Sequence, residues 1–217
     1  MRVKAESGSP VKKRTAVLCA FCFEDNTSPI GLGKLQRKID EAVLQSVKEI
    51  KGKKNKIAII HSHKEIPAEK ILIAGIGKKN KLTSDIIRDV AGSIAKKIHE
   101  LGIKEFSIII PDKISIKNEL VISSIIEGAN LSLYDFDLFK KEKNNSKEPD
   151  LTLLTSEKDA QKIIKTSMII SDAVRFTRDV ANLPPNECPP EKLSNIAKKI
   201  ANQNKIKCTV FSKKEIK

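Results

Sequence analysis

The chain has 217 residues, of which 40% are hydrophobic and 31% charged, and its formal net charge is +14 at pH 7. This length suffices for one large domain, or for one domain of ordinary size and a remainder, and the composition is that of a soluble globular protein. The longest apolar runs have the length of strands and are too short to span a membrane.

Residues 1–14 are predicted to form a basic tail, and Thr15 to Phe23 a first strand. The apolar part of this strand meets Glu24 and Asp25, where a secretory signal would need small residues at a cleavage site. The sequence therefore predicts a strand rather than a signal peptide, and a cytoplasmic protein.

Four cysteines are present, and the first two, Cys19 and Cys22, form a CxxC motif. Because the motif lies in an apolar predicted strand, its residues point to opposite faces and cannot share a metal ion. We interpret both as buried structural cysteines. Cys188 and Cys208 stand alone, so no disulfide framework is indicated, which agrees with a reducing compartment.

The middle of the chain alternates between predicted helices and strands. A helix is predicted over Leu35 to Ile50, two short strands begin at Lys56 and Lys70, and the clearest helix runs from an N-cap at Thr83 or Ser84 to a stop at Gly102. Its apolar stripe consists of Ile87, Val90, Ile94, Ile98 and Leu101. "EFSIII", closed by Pro111, and "LTLLTS" predict further strands, with the helix "KNELVISSIIEGANLSL" and an exposed connection at 140–150 between them.

This alternation predicts an α/β fold, a mixed sheet flanked by helices. A helix of about 26 residues, from Glu157 to near Leu183, is too long for one more layer and is interpreted as a bridge between domains. Pro184 and Pro185 end it, because proline lacks a backbone donor and restricts the preceding residue. The following short helix and the strand "KCTVFS" cannot form a core of their own. We therefore expect a tail (1–14), a first domain (15–155), a connecting helix (156–183) and the incomplete start of a second domain (184–217).

Three sequence patterns are candidates for a binding or catalytic site. Gly75 and Gly77 follow a strand as in phosphate-binding loops, but the third glycine of a dinucleotide motif is missing, and a tight turn explains them. His61 and His63 could point to one side as metal ligands, yet His99 lies on a separate helix and no third ligand is evident.

The third pattern, Asp135 and Asp137 in "LYDFDLF", could perform acid–base chemistry only beside groups that separate their pKa values. No such partner is visible in the sequence, and no Ser-His-Asp, HExxH or nucleophile-elbow pattern occurs. The sequence therefore predicts no catalytic, cofactor-binding or metal-ligating residue in this chain.

The segment "AVRFTRDVANLPPNECPPEKL", Ala173 to Leu193, resembles the domain junction of the leucyl aminopeptidases, also called cytosol aminopeptidases. The residues that fall on the family pattern are Arg178, Asp179, Asn182, Pro184, Pro185, Asn186, Pro190 and Leu193. "ILIAGIGKKNKLTSDIIRDVAGSIAKKI" and "EGANLSLYDFDLFKKEK" resemble two earlier family segments in the same order. The chain departs from the pattern at Cys188 and Pro189, where the loss of a Thr weakens the cap of the next helix.

The resemblance implies a macro-domain-like N-terminal domain, a connecting helix, and the first helix and strand of a catalytic domain. In the family, that second domain holds two divalent metals, Zn or Mn, which activate water to release N-terminal residues from peptides. The ligand motifs resemble "GKGxxFDSGG" and "NTDAEGR", and neither occurs among these residues, so no family ligand is assigned here. The expected role is therefore in hexamer assembly and active-site access, inactive alone, with a further copy or a separate catalytic chain as partner.

Two other functions were considered. The net charge would suit a nucleic-acid-binding module, but only six of the 41 basic residues are Arg and the Lys residues are scattered, which favours a solvated surface. Macro domains bind ADP-ribose near Gly-rich loops, so Gly75 and Gly77 could serve a small-molecule reader.

Overall fold

A computed structural model describes residues 1–25, 28–32, 45, 48–62, 64–111, 114–141 and 146–216. The described residues form two compact units, 1–174 and 175–217. The strands are β1 (Val3–Glu6), β2 (Val17–Cys22), β3 (Ile57–His61), β4 (Lys70–Gly75), β5 (Glu105–Ile109) and β6 (Asp150–Leu154). The long helices are α1 (Ser84–Glu100), α2 (Asn118–Ser132), α3 (Ala160–Ala181) and α4 (Pro190–Asn204).

The six strands form one sheet in the order β1-β6-β5-β2-β4-β3. Every neighbouring pair is parallel except β3 and β4, which are antiparallel. The predicted α/β fold with a mixed sheet flanked by helices is confirmed.

Strand β2 lies inside the sheet and is buried along its whole length. Val17, Cys19 and Phe21 belong to one hydrophobic core, whereas the alternate residues, from Leu18 to Cys22, belong to a second core on the opposite face. A strand covered on both faces reads as a continuous apolar run, which explains the sequence "VLCAFC".

Helix α1 covers the first core and begins and ends as its sequence predicts. The Thr83 hydroxyl accepts a hydrogen bond from the Ile86 backbone N–H at 3.3 Å, and Gly102 has the positive φ, 67°, of a helix stop. The predicted stripe is buried except for Leu101, which is 45% exposed. Leu101 caps the helix with ψ near 0°, beyond its last regular turn.

The second core lies under the opposite face of the sheet. Val11, in a short 3₁₀ turn at Pro10–Lys12, and Ile50 pack against it, and loop residues Ile66 and Ala68 contribute to it. Most of the helix predicted over Leu35 to Ile50 lies outside the described residues. The described parts of this range, residue 45 and residues 48–50, are helical.

The prediction of a tail before Thr15 was wrong for residues 3–6, which form β1. Val3 pairs with Leu151 in a parallel ladder, and the Arg2 guanidinium bonds to the Asp150 carboxylate, with 2.8 Å between Nη2 and Oδ2. The local sequence contains little apolar character, so this strand depends on pairing with β6, which lies far along the chain.

The strand predicted at "KCTVFS", residues 207–212, was also wrong. These residues have no regular secondary structure and are exposed. A strand requires a neighbour for its backbone groups, and no described strand pairs with this segment.

Helices α1 and α2 approach closely at two glycines. A Cβ added to Gly128 would overlap the carbonyl oxygen of Arg88, whereas one added to Gly92 would lie 3.1 Å from the Ser132 Cβ. Near this crossing, the Arg88 guanidinium also bonds to Glu127 of α2 at 2.9 Å. The crossing therefore needs a residue without a side chain at position 128.

We expect Gly128→Ala to lower the free energy of unfolding by about 1 to 3 kcal/mol, because the new methyl group pushes two helix backbones apart. Gly92→Ala is the matched control and should stay within about 1 kcal/mol, since helix propensity offsets a milder contact. Urea unfolding followed by circular dichroism measures both variants. Equal stability of Gly128→Ala and the parent chain would contradict this packing.

The contacts at β1 also predict a dependence on pH. The Arg2 hydrogen bond lowers the pKa of Asp150, and the ammonium groups of Lys13 and Lys4 lower the pKa of Glu6. A carboxyl whose folded-state pKa is depressed stabilises the fold above its unfolded pKa and loses that contribution as the pH falls through the folded value.

We expect Asp150→Asn to reduce the free energy of unfolding at pH 7 by at most about 1 kcal/mol, since the pair is partly exposed. The difference from the parent chain should shrink as the pH falls below the unfolded pKa of about 3.9, and it should vanish once the pH is below the depressed folded pKa of Asp150. Urea titrations across this pH range measure it. A difference that persists unchanged at low pH would contradict the assigned ion pair.

Candidate functional site

The Gly75 to Gly77 turn after β4 has its backbone amides committed within the protein. Gly75 N–H donates to the Lys56 carbonyl at 2.9 Å, Ile76 N–H to Cys22 at 3.0 Å, and Gly77 N–H to Gly52 at 2.9 Å. A phosphate-binding loop needs free amides directed at the ligand. The turn interpretation is therefore confirmed, and the geometry does not favour an ADP-ribose reader.

Gly75 itself is required by close approach of two backbones. A Cβ at this position would overlap the carbonyl oxygen of Lys53. The segments 48–56 and 77–81 are thus held together at one edge of the sheet, which the sequence could not indicate because 20 or more residues separate them.

These two segments, which we name the lysine loops, bring together basic side chains. Their exposed lysines are Lys48, Lys51, Lys53, Lys54, Lys56, Lys78, Lys79 and Lys81. Among the described residues, Lys54 is the member that forms an ion pair, with Asp89 at 2.6 Å. The lysine loops therefore form a positively charged surface that can attract anions.

The histidines do not form a metal site within the described residues. His61 is exposed at the end of β3, His63 lies outside the described residues, and the His99 ring nitrogen is 3.0 Å from the Ser146 hydroxyl. In the described ranges, no three His, Cys, Asp or Glu side chains come together as a metal site. The residues present thus do not fit the metal pair of the aminopeptidases, and we derive no catalytic step from them.

Asp135 and Asp137 lie in a turn after α2. Asp135 accepts a hydrogen bond from the Lys140 ammonium at 2.7 Å, and the Asp137 carbonyl accepts one from the Lys140 backbone N–H at 3.0 Å. These contacts close the turn and agree with the structural interpretation.

Cys19 and Cys22 are buried on opposite faces of β2. Burial raises the pKa of both thiols, that of Cys22 to about 11. Thiols that stay protonated are poor nucleophiles and poor metal ligands. The predicted placement of the two cysteines, buried and on opposite faces of the strand, is confirmed.

The proline-rich junction lies in the unit 175–217. Helix α3 ends at Ala181, close to the predicted Leu183, and the Glu187 N–H donates to the Pro184 carbonyl at 2.9 Å. Pro190 opens α4 after Pro189, whose side chain makes no capping hydrogen bond. The turn and the missing cap agree with the sequence prediction for this segment.

A groove between α2 and α3 was not visible in the sequence. It has a volume of about 550 Å³ and lies wholly within residues 1–174. It is lined by Lys117, Asn118, Glu119, Leu120, Ser123, Glu127, Glu157, Asp159, Lys162, Ile163, Thr166, Ser167 and Ile170. We name it the α2–α3 groove. Its residues come from two segments without a common motif, so no sequence signal could have identified it.

No described helix combines the length and apolar character needed to cross a bilayer.

This α/β domain is similar to the N-terminal domain of the cytosol aminopeptidases. Residues 20–143 match the description "Cytosol aminopeptidase family, N-terminal domain". A "Probable cytosol aminopeptidase" of Cenarchaeum symbiosum is 36% identical over 217 residues, which is 100% of this chain and 43% of the relative. The chain therefore belongs to the cytosol aminopeptidase family, as the sequence resemblance predicted.

Other relatives agree with this assignment. A "Probable cytosol aminopeptidase" of Geotalea uraniireducens is 29% identical over 223 residues, covering 95% of this chain and 43% of the relative. The chain thus spans less than half the length of these curated relatives.

Solved structures support the fold. A tomato leucine aminopeptidase variant gives a TM-score of 0.79 at 18% identity, covering 94% of this chain and 43% of that one. The bottromycin maturation enzyme BotP in complex with Mn gives 0.70 at 14% identity, covering 93% and 39%.

We expect native-state thiol labelling to separate the cysteines into two classes. Cys208, which is exposed, and the half-buried Cys188 should react readily, whereas Cys19 and Cys22 should react only after unfolding, because burial keeps them inaccessible and protonated. Mass spectrometry after alkylation measures this, with Cys208→Ser as the control that removes one reactive thiol. Rapid labelling of Cys22 in the native chain would contradict the buried strand.

Proposed function

We propose that this chain is the N-terminal portion of a metal-dependent aminopeptidase that releases N-terminal amino acids from peptides. In this proposal the chain serves assembly and access to the active site, and it has no hydrolytic activity alone. The match of residues 20–143 to the family's N-terminal domain carries the proposal. The 36% identity across the whole chain supports it independently.

The proposal that this chain has no hydrolytic activity alone is supported by its described residues, which contain no cluster of metal ligands. Water activation by two metals requires several carboxylate, amine or imidazole groups at one point. Among the described residues, no cluster of three or more His, Cys, Asp or Glu side chains could hold a metal ion. We therefore propose that Zn or Mn is held by residues other than those of this chain.

The proposed partners follow from the same relationship. We propose that the domain takes part in a homo-hexamer, or joins a separate catalytic chain, and that a peptide substrate reaches a hydrolytic site only when the catalytic domain is present. The relatives are named cytosol aminopeptidases, which supports a cytoplasmic location.

We expect the purified 217-residue chain to show no turnover of leucine p-nitroanilide with added Mn²⁺ or Zn²⁺. The reason is that hydrolysis needs a metal-activated water, and this chain offers no cluster to hold the metals among its described residues. Release of nitroaniline, followed by absorbance, measures the rate, and an active leucine aminopeptidase serves as the positive control.

Turnover that co-purifies with the chain and scales with its concentration would contradict the proposal. A variant with Asp135→Asn and Asp137→Asn distinguishes intrinsic activity from contamination. These two residues are the paired carboxylates that the sequence offers for acid–base chemistry. Activity that the variant abolishes would assign catalysis to this chain.

A second candidate function is nucleic-acid binding, which the lysine loops favour. Eight exposed lysines lie on two segments joined by backbone hydrogen bonds, and seven of them make no ion pair among the described residues. Lysines held in a fixed array can neutralise neighbouring phosphates and release counterions.

For this candidate, the chain should retard duplex DNA at micromolar protein and about 50 mM salt, with an affinity that falls steeply as salt increases. Lys78→Glu with Lys79→Glu should weaken binding by at least about tenfold, since two phosphate contacts become repulsive. Lys198→Glu with Lys199→Glu is the matched control with the same charge change. An absence of retardation, or equal loss in both variants, would exclude a site at the lysine loops.

A further inference from the structure

The α2–α3 groove combines features that the proposed function does not use. Its base includes Ser167, which is 2% exposed, and Ile163, which is 8% exposed. Asn130 of α2 bonds to Asp172 of α3 at 3.2 Å and joins the two helices. Most of the lining residues are polar or charged and a minority are apolar, so a ligand in this groove would make mainly polar contacts.

Ser167 marks the groove as polar at depth. Its carbonyl oxygen accepts a hydrogen bond from the Ser171 hydroxyl at 2.7 Å, but its own hydroxyl makes no hydrogen bond within the described residues. This hydroxyl is therefore available to a ligand or a water molecule in the groove.

Charges of both signs line the same groove without pairing to one another. Glu119, Glu157 and Asp159 contribute carboxylates, and Lys117 and Lys162 contribute ammonium groups. None of these five forms an ion pair in the described part of the chain, whereas Glu127 is already paired with Arg88 at 2.9 Å. Both kinds of charge are therefore available to a ligand.

Apolar side chains supply the third kind of contact. Leu120 is 50% exposed and Ile170 is 48% exposed, and both line the groove beside the buried Ile163. An apolar group of a ligand that covered them would gain free energy from the surface removed from water.

We propose that the α2–α3 groove binds a small zwitterion, an amino acid or short peptide with a free ammonium group and a free carboxylate. The unpaired carboxylates of the groove receive the ammonium group, and Lys117 and Lys162 receive the carboxylate. The Ser167 hydroxyl bonds to a polar atom of the ligand, and Leu120, Ile163 and Ile170 contact its apolar side chain. This site is independent of the proposed hydrolytic function.

The test is titration of the ¹⁵N-labelled chain with the dipeptide Leu-Gly up to about 10 mM, followed by amide chemical shifts. We expect shift changes confined to the groove segments 117–127 and 157–170, with a Kd in the millimolar range because the charged groups stay partly solvated. Acetylated Leu-Gly, which lacks the ammonium group, should bind at least about threefold more weakly.

Two variants make the test specific. Lys162→Ala should weaken Leu-Gly binding about threefold, whereas Lys165→Ala, an exposed lysine of the same helix outside the groove, should leave it unchanged. Ser167→Ala should also weaken binding. Alanine has a high helix propensity, so this variant should still fold.

Three results would overturn the proposal. They are the absence of shift changes in the groove, equal binding of the acetylated peptide, and equal effects of Lys162→Ala and Lys165→Ala. This test measures ligand binding and not the turnover of leucine p-nitroanilide. The outcome of the binding test is therefore separate from that of the proposed function.

Discussion

The burial of β2 on both faces is the constraint on which the rest of this structure depends. Each of its six residues is inaccessible, and alternate side chains enter two separate hydrophobic cores. A strand of this kind is stable only when layers cover both sides of the sheet. Helices α1, α2 and part of α3 cover the first core, and the close crossing of α1 and α2 at Gly128 brings their apolar faces down onto the sheet. Among the described residues, shorter segments contribute to the core on the second face, and a hydrogen bond joins Gly77 to Gly52.

Features encoded locally were predictable from the sequence, and features that depend on distant pairing were not. Helix α1 carries its own start at Thr83 and its own stop at Gly102, so both were predicted and confirmed. Strand β1 was missed because "VKAE" has weak strand character and its order comes from pairing with β6, which begins at Asp150. The opposite error was made at "KCTVFS", where strand propensity has no described neighbour to pair with. The proposed domain boundaries at 155 and 183 remain predictions.

The candidate functional residues show the same difference between local features and features that depend on distant contacts. The glycine turn and the CxxC look like functional motifs in one dimension, but their amides and thiols are used or enclosed by the fold. The lysine loops and the α2–α3 groove combine residues from separate segments, so only the structure brings them together. The sequence resemblance to the family came from the junction, where consecutive residues carry the pattern, whereas the match of residues 20–143 shows the family. The lysine loops and the α2–α3 groove are thus surface features of an N-terminal α/β domain whose described residues provide no cluster for metal-assisted hydrolysis.

The most direct test of this account is the binding of Mn²⁺ to the isolated chain, measured by equilibrium dialysis at neutral pH. Mn²⁺ suits the purpose because it prefers carboxylate and other oxygen ligands, so the exposed Cys208 does not interfere. The account predicts no saturable binding at free Mn²⁺ up to about 100 μM, since no three suitable ligands converge among the described residues. Saturable binding of one or two ions per chain with a Kd near 1 μM would contradict it and assign the family's metal chemistry to this chain.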